Sequence, residues 1–117
     1  MSEQNKRILE QANAAVRAGD NEGFLAFCTD DIVWSTVGGE TLHGKDEVRT
    51  MMGKDYLHPP TFTVHAMIAD GDYVVALGDI ASTDAQGNPV PNAYSDVWRI
   101  RDGKLAELKA FVIPVAA

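Results

Sequence analysis

From Thr61 onward the chain alternates. TFTVHAMIA, YVVALGDIAST, AYSDVWRIR and KLAELKAFVI each carry apolar side chains at every second position, punctuated by Asp70-Gly71-Asp72 and Asp102-Gly103. A period of two marks strands with one buried face, and an Asp-Gly pair between two such runs is a strong hairpin signal. Consecutive strands of this kind build an antiparallel sheet, whose apolar face has to be covered by another layer. That cover must come from the residues that precede them.

Those residues read as helices around one short strand. In SEQNKRILEQANAAVRAGD, Ile8, Leu9, Ala12, Ala15 and Val16 keep helical spacing, and Gly19 stands where a helix C-cap favours glycine. Asp20 caps a shorter second helix through NEGFLAFC, with Phe24, Leu25, Phe27 and Cys28 on its buried side. DDIVWSTVGG is a short strand that puts Ile32, Trp34 and Thr36 on one face. KDEVRTMMG, after Gly44, makes a third helix burying Val48, Met51 and Met52. KDYLHPP and the long polar DAQGNPVP are connections, since helix is disfavoured before proline. The expected fold class is α+β: a cone-shaped, curved antiparallel sheet covered by three N-terminal helices, with a cavity between the layers. One domain spans residues 1–117.

Composition excludes several function classes. A net charge of −7, with 17 acidic against 10 basic residues and no basic cluster, disfavours nucleic acid and anionic membranes as partners. No run approaches the roughly 20 apolar residues that cross a bilayer. The single cysteine, Cys28, excludes an internal disulfide, and MSEQNKRILEQ lacks the apolar stretch of a secretory signal, so a cytoplasmic location is expected. There is no GxGxxG, P-loop or GxSxG pattern, and His43, His58 and His65 lack metal-ligand spacing. No metal and no cofactor are expected.

One residue breaks the pattern. In NAYSDVWRIRDGKL, Asp96 shares the parity of Tyr94, Trp98 and Ile100, which aims a carboxylate at the interior. Burying an unpaired charge is expensive, so such an acid is either satisfied by a helix backbone or a hydroxyl such as that of Tyr94, or kept neutral for use.

The pieces AGDNEGFLAFCTDDIVW, LHGKDEVRTMM and YSDVWRIRDGKLAEL, in that order and covering nearly the whole chain, resemble the nuclear transport factor 2-like superfamily. The resemblance is to its ketosteroid isomerase-like and SnoaL-like polyketide cyclase branch, and it implies the same cone, a cystatin-like α+β barrel. It also implies three positions to inspect. The steroid isomerases' first-helix tyrosine falls on Ala12, their aspartate base on Thr36, and their strand-borne aspartic acid on Asp96. One of the three chemistries is retained.

The candidate catalytic residues are therefore Asp96, as acid or oxyanion donor, and His65, the side chain suited to acid-base work near neutrality but of ambiguous facing within TFTVHAMIA. Asp79 is a second acid in an apolar strand that could pair with Asp96, and His43 and His58 lie where they could rim the cavity. Candidate ligand contacts are Trp34, Thr36, Met51, Met52, Tyr94, Trp98, Leu108 and Val112, for a small apolar or aromatic ligand. Two functions are compatible with this set: a cofactor-independent isomerase, cyclase or lyase acting on an apolar carbonyl compound, or a non-catalytic ligand-binding or dimerisation module. Val97, Phe111 and Ile113 form a second apolar stripe on the opposite face, which predicts a homodimer through the outer sheet.

Overall fold

A computed structural model describes residues 2–56 and 59–115, so His58 lies outside the described residues. The elements run α1 (Ser2–Arg17), α2 (Asn21–Leu25), β1 (Cys28–Thr36), β2 (Thr41–His43), α3 (Gly44–Asp55), β3 (Phe62–Asp70), β4 (Tyr73–Thr83), β5 (Pro89–Arg101) and β6 (Lys104–Pro114). The six strands form one curved, unclosed sheet in the order β2-β1-β6-β5-β4-β3, and the three helices pack on one side of it. The α+β class expected from the sequence is the class observed. No helix among the described residues is long and apolar enough to cross a membrane.

Four local differences have physical causes. The sheet is not wholly antiparallel: β1 runs parallel to β6, because α3 and its flanking segments carry the chain away before the hairpins begin. Leu42 is the middle residue of a strand, β2, that three residues are too few to announce by periodicity. Asp20 caps α2 as expected, its carboxylate accepting from the Gly23 N–H at 2.9 Å, but that helix stops at Leu25. Cys28 therefore opens β1, where full burial pushes its thiol up to about 12. Finally, β5 begins at Pro89, inside the expected connection. Residue-by-residue pairing with β6 starts only at Asn92, so Pro89 and Pro91 sit where one side of β5 has little need of N–H donors.

Cross-strand register decides what faces the helices. Val74, Trp98 and Leu108 lie side by side across β4, β5 and β6, and Leu108 is followed across β1 by Trp34. Next come Ala76, Asp96, Ala110 and Thr36, and then Gly78, Tyr94 and Val112. The first of these rows is buried under Leu9, Val16, Phe24, Leu25, Val48 and Met52 from the helices. A register shift between Arg99 and Ile100 turns both Leu105 and Ala106 inward. Simple alternation would have placed Leu105 on the outer face; the bulge corrects that expectation.

Gly78 gives the sheet its close approach beside the third row. A Cβ there would collide with the Thr63 carbonyl oxygen and come within 2.9 Å of the Tyr94 ring. Gly78→Ala is expected to destabilise the fold by about 2 kcal/mol or more, since backbone cannot yield as a flexible side chain can. Chemical denaturation of the two proteins checks this, and an unchanged midpoint would show that β3 and Tyr94 shift freely.

Candidate functional site

The helices do not fill the cone. Between them and the sheet lies a cavity of about 420 Å3 whose lining includes Trp34, Thr36, Met51, Tyr94, Asp96, Trp98, Leu108 and Val112. Its floor is aromatic: Phe24, Trp34 and Trp98 meet edge to face, with ring centroids 5.8 to 6.3 Å apart. Such a cluster presents a rigid apolar surface to anything flat that enters.

Asp96 lies in the row next to this floor. Its cross-strand neighbours, Ala76 and Ala110, are small, so the carboxyl has room on both sides but no polar partner beside it. No hydrogen bond or ion pair to Asp96 forms among the described residues, and burial alone raises its carboxyl from 3.8 to about 7. The carboxyl is thus poised between its two protonation states near neutrality.

Two phenols share the cavity. Tyr94, two residues before Asp96 on β5 and on the same face, is pushed up to about 12 by burial and then by the neighbouring Asp96 charge. Tyr56 is held by the last turn of α3, its N–H donating to the Met52 carbonyl at 2.9 Å, and is raised to about 12 for the same two reasons in the same order. Both therefore stay protonated donors. Tyr56 escaped sequence analysis because it fell in the segment before Pro59 and Pro60; its four-residue spacing from Met52 was the available signal. Glu40, Asp55 and Phe62 also line the cavity without having been singled out.

One expected contact, Met52, and one expected catalytic residue, His65, lie elsewhere. Met52 is fully buried in the core, and only its neighbour Met51 reaches the cavity. His65 is on the outer face, its Nε2 2.7 Å from Asp79 Oδ2, with both side chains more than half exposed. The cause is a bulge in β3 between Val64 and Ala66: it lets Phe62 and Val64 face inward before it and Met67 and Ala69 after it, turning His65 out. Asp79, flanked in sequence by the inward Gly78 and Ile80, shares that outer face and forms no carboxyl pair with Asp96. His43 ends β2, exposed and outside the cavity lining. Ala12 is buried without a hydroxyl to offer, and Thr36 stands exposed at the cavity's edge.

Asp96 makes stability depend on pH in a defined direction. A folded value near 7 above an unfolded value near 3.8 means that the folded state holds the proton more tightly. The contribution of Asp96 to stability is then fully present below about pH 4, and is lost as pH rises to about 7. Asp96→Asn removes that loss and is expected to be more stable than the parent by about 4 kcal/mol at pH 8, and nearly equal to it at pH 4. Thermal denaturation at the two pH values checks it; an Asn variant less stable at pH 8 would mean an ionised, hydrogen-bonded Asp96.

Solved structures with the same architecture are numerous. An NTF2-like protein of unknown function from Burkholderia pseudomallei K96243 superposes with a TM-score of 0.82 at 24% identity, over 94% of this chain and 90% of that one. A putative ketosteroid isomerase from Kribbella flavida DSM 17836 gives 0.83 at 15% identity, over 99% and 82%. An LEH-like epoxide hydrolase from M. tuberculosis gives 0.83 at 20% identity, over 95% and 84%. No curated protein matches the sequence. The model of the SnoaL-like domain matches residues 9–108, most of the chain from the middle of α1 to the β6 residue in the cavity floor, and the protein belongs to that family.

Proposed function

We propose that this protein is a cofactor-independent enzyme of isomerase, cyclase or lyase type, in which Asp96 moves a proton on a small, largely apolar carbonyl compound. The observation that carries the reading is a carboxyl without a protein partner among the described residues, half-buried between two alanines in an aromatic-floored cavity and raised to about 7. A base or acid with that value works with little loss of either protonation state at neutral pH.

As a carboxylate, Asp96 takes a proton from the carbon beside the substrate carbonyl. The C–H electrons form the enolate, whose oxygen accepts hydrogen bonds from Tyr94 and Tyr56. The protonated Asp96 then returns the proton to another carbon of the enolate, or to a leaving group. No separate base is required, which accommodates the threonine at position 36 and the outward His65. A non-catalytic ligand-binding role is the second reading; what favours it is that Ala12 and Thr36 lack the acid-base groups that the steroid isomerases place at those positions.

Deuterium exchange at the α-carbon of acetophenone, followed by NMR, tests the chemistry. The rate is expected to rise with pH through about 7, as Asp96 ionises. It should fall by on the order of 100-fold or more in Asp96→Asn, the usual scale for general base catalysis, and by about tenfold or more in Tyr94→Phe, as for a lost oxyanion donor. Quenching of tryptophan emission by the ketone without exchange would leave binding alone.

We also propose that the protein pairs through its outer sheet. Phe111 and Ile113 are exposed on that face, with Val97 half-buried beside them and Ile68, Tyr73 and Leu77 continuing the apolar surface. Sedimentation at micromolar concentration is expected to give twice the 12.7 kDa chain mass. Phe111→Glu should halve that mass, and a monomeric parent protein would overturn the proposal.

A further inference from the structure

We infer that the ligand of this cavity carries a protonated amine at the end remote from its carbonyl, and that Glu40 and Asp55 select it. This rests on the reading of the cavity as a small-molecule site and adds to it the charge of the substrate class.

Among the described residues, every titratable side chain that lines the cavity is a carboxyl or a phenol: Glu40, Asp55, Tyr56, Tyr94 and Asp96. No lysine, arginine or histidine is among the described lining residues. Arg17, whose charge reaches Tyr94, has its guanidinium 4.1 Å from the centroid of the Phe62 ring and is engaged there. A carboxylate ligand would therefore enter against like charges in a low-dielectric recess, while a cation would be drawn in.

Glu40 and Asp55 are exposed, whereas the Trp98 end of the cavity is buried, so the two acids stand at the mouth. They also line, with Leu42, Thr50, Met51 and Lys54, an adjoining depression of about 430 Å3, in which Lys54 is one cation against four acids among the described residues. The other two acids of that depression are occupied locally: Asp46 holds Arg49 at 2.6 Å, and Glu47 accepts the His43 N–H at 2.8 Å. Glu40 and Asp55 make no side-chain hydrogen bond or ion pair among the described residues. They remain free for a ligand.

Register gives the length of that ligand. Asp96 pairs with Ala110, and Ala110 with Thr36, so Thr36 lies two strands, or about 10 Å, from Asp96. The Thr36 N–H donates to the Glu40 carbonyl at 2.9 Å, which fixes Glu40 beside that point. A carbonyl at Asp96 and an ammonium at Glu40 are thus separated by about one aromatic ring and a short arm.

Para-substituted acetophenones bearing an aminoethyl, a hydroxyethyl or a carboxyethyl arm form the test set, with affinity read by calorimetry on the full chain. The amine is expected to bind tightest and the carboxylate weakest, with a spread on the order of tenfold that shrinks at high salt. The double variant Glu40→Gln, Asp55→Asn, altered only at exposed positions, should lose most of that spread while still binding the hydroxyethyl compound. Equal affinities, tightest binding of the carboxylate, or a spread unaltered in the double variant would overturn this inference and leave the proposed function standing. If none of the three ketones binds, both fall.

Discussion

The register of β4, β5 and β6 is the constraint on which the site depends. Once Ala76, Asp96 and Ala110 are set side by side, the residues two positions away on each strand follow, because side chains alternate strictly across a pleated sheet. Val74, Trp98 and Leu108 then close the floor, and Tyr94 and Val112 fall on the opposite side of the acid. A slip of one residue would send Asp96 to solvent and Val97 into the cavity. The same slip would expose Tyr94, Trp98 and Ile100, and that apolar cost is what holds the carboxyl where it is, although its own burial opposes the fold.

The same constraint explains why the acid holds its proton up to about neutrality. A carboxylate in a protein interior keeps its charge only where cations or several donors face it. Asp96 has alanines on either side and phenols in the cavity, and those phenols are themselves raised by its charge. The arrangement is mutually unfavourable for ionisation, and a ligand oxygen that accepts from these groups relieves it. Such tension between stability and chemistry is common where a site is useful.

Two bulges shape the rest. In β3 the bulge beside His65 keeps the inward side apolar on both of its flanks and exports the imidazole to Asp79. In the β5–β6 hairpin the shift at Ile100 buries Leu105 and Ala106 together and tightens the closed end of the cone. Curvature of this kind makes room for a cavity that a flat sheet under three helices would not enclose.

The sequence by itself determined the fold class, the helical cover, the inward aim of Asp96, and the shared face of Tyr94, Trp98 and Ile100, since these follow from periodicities that a local window contains. Thr36, Met51 and Val112 also reach the cavity, as their parity or helical spacing implied. Only the tertiary structure decided which way His65 points, that Met52 belongs to the core, and that Leu105 turns inward. It also brought Tyr56, Glu40 and Asp55 into the cavity. The reason is physical: a bulge changes parity without changing composition, and a helix's direction over a sheet is set by packing between elements distant in sequence. Alternation tells which residues share a face of one strand, but the partner strand's register decides what that face meets.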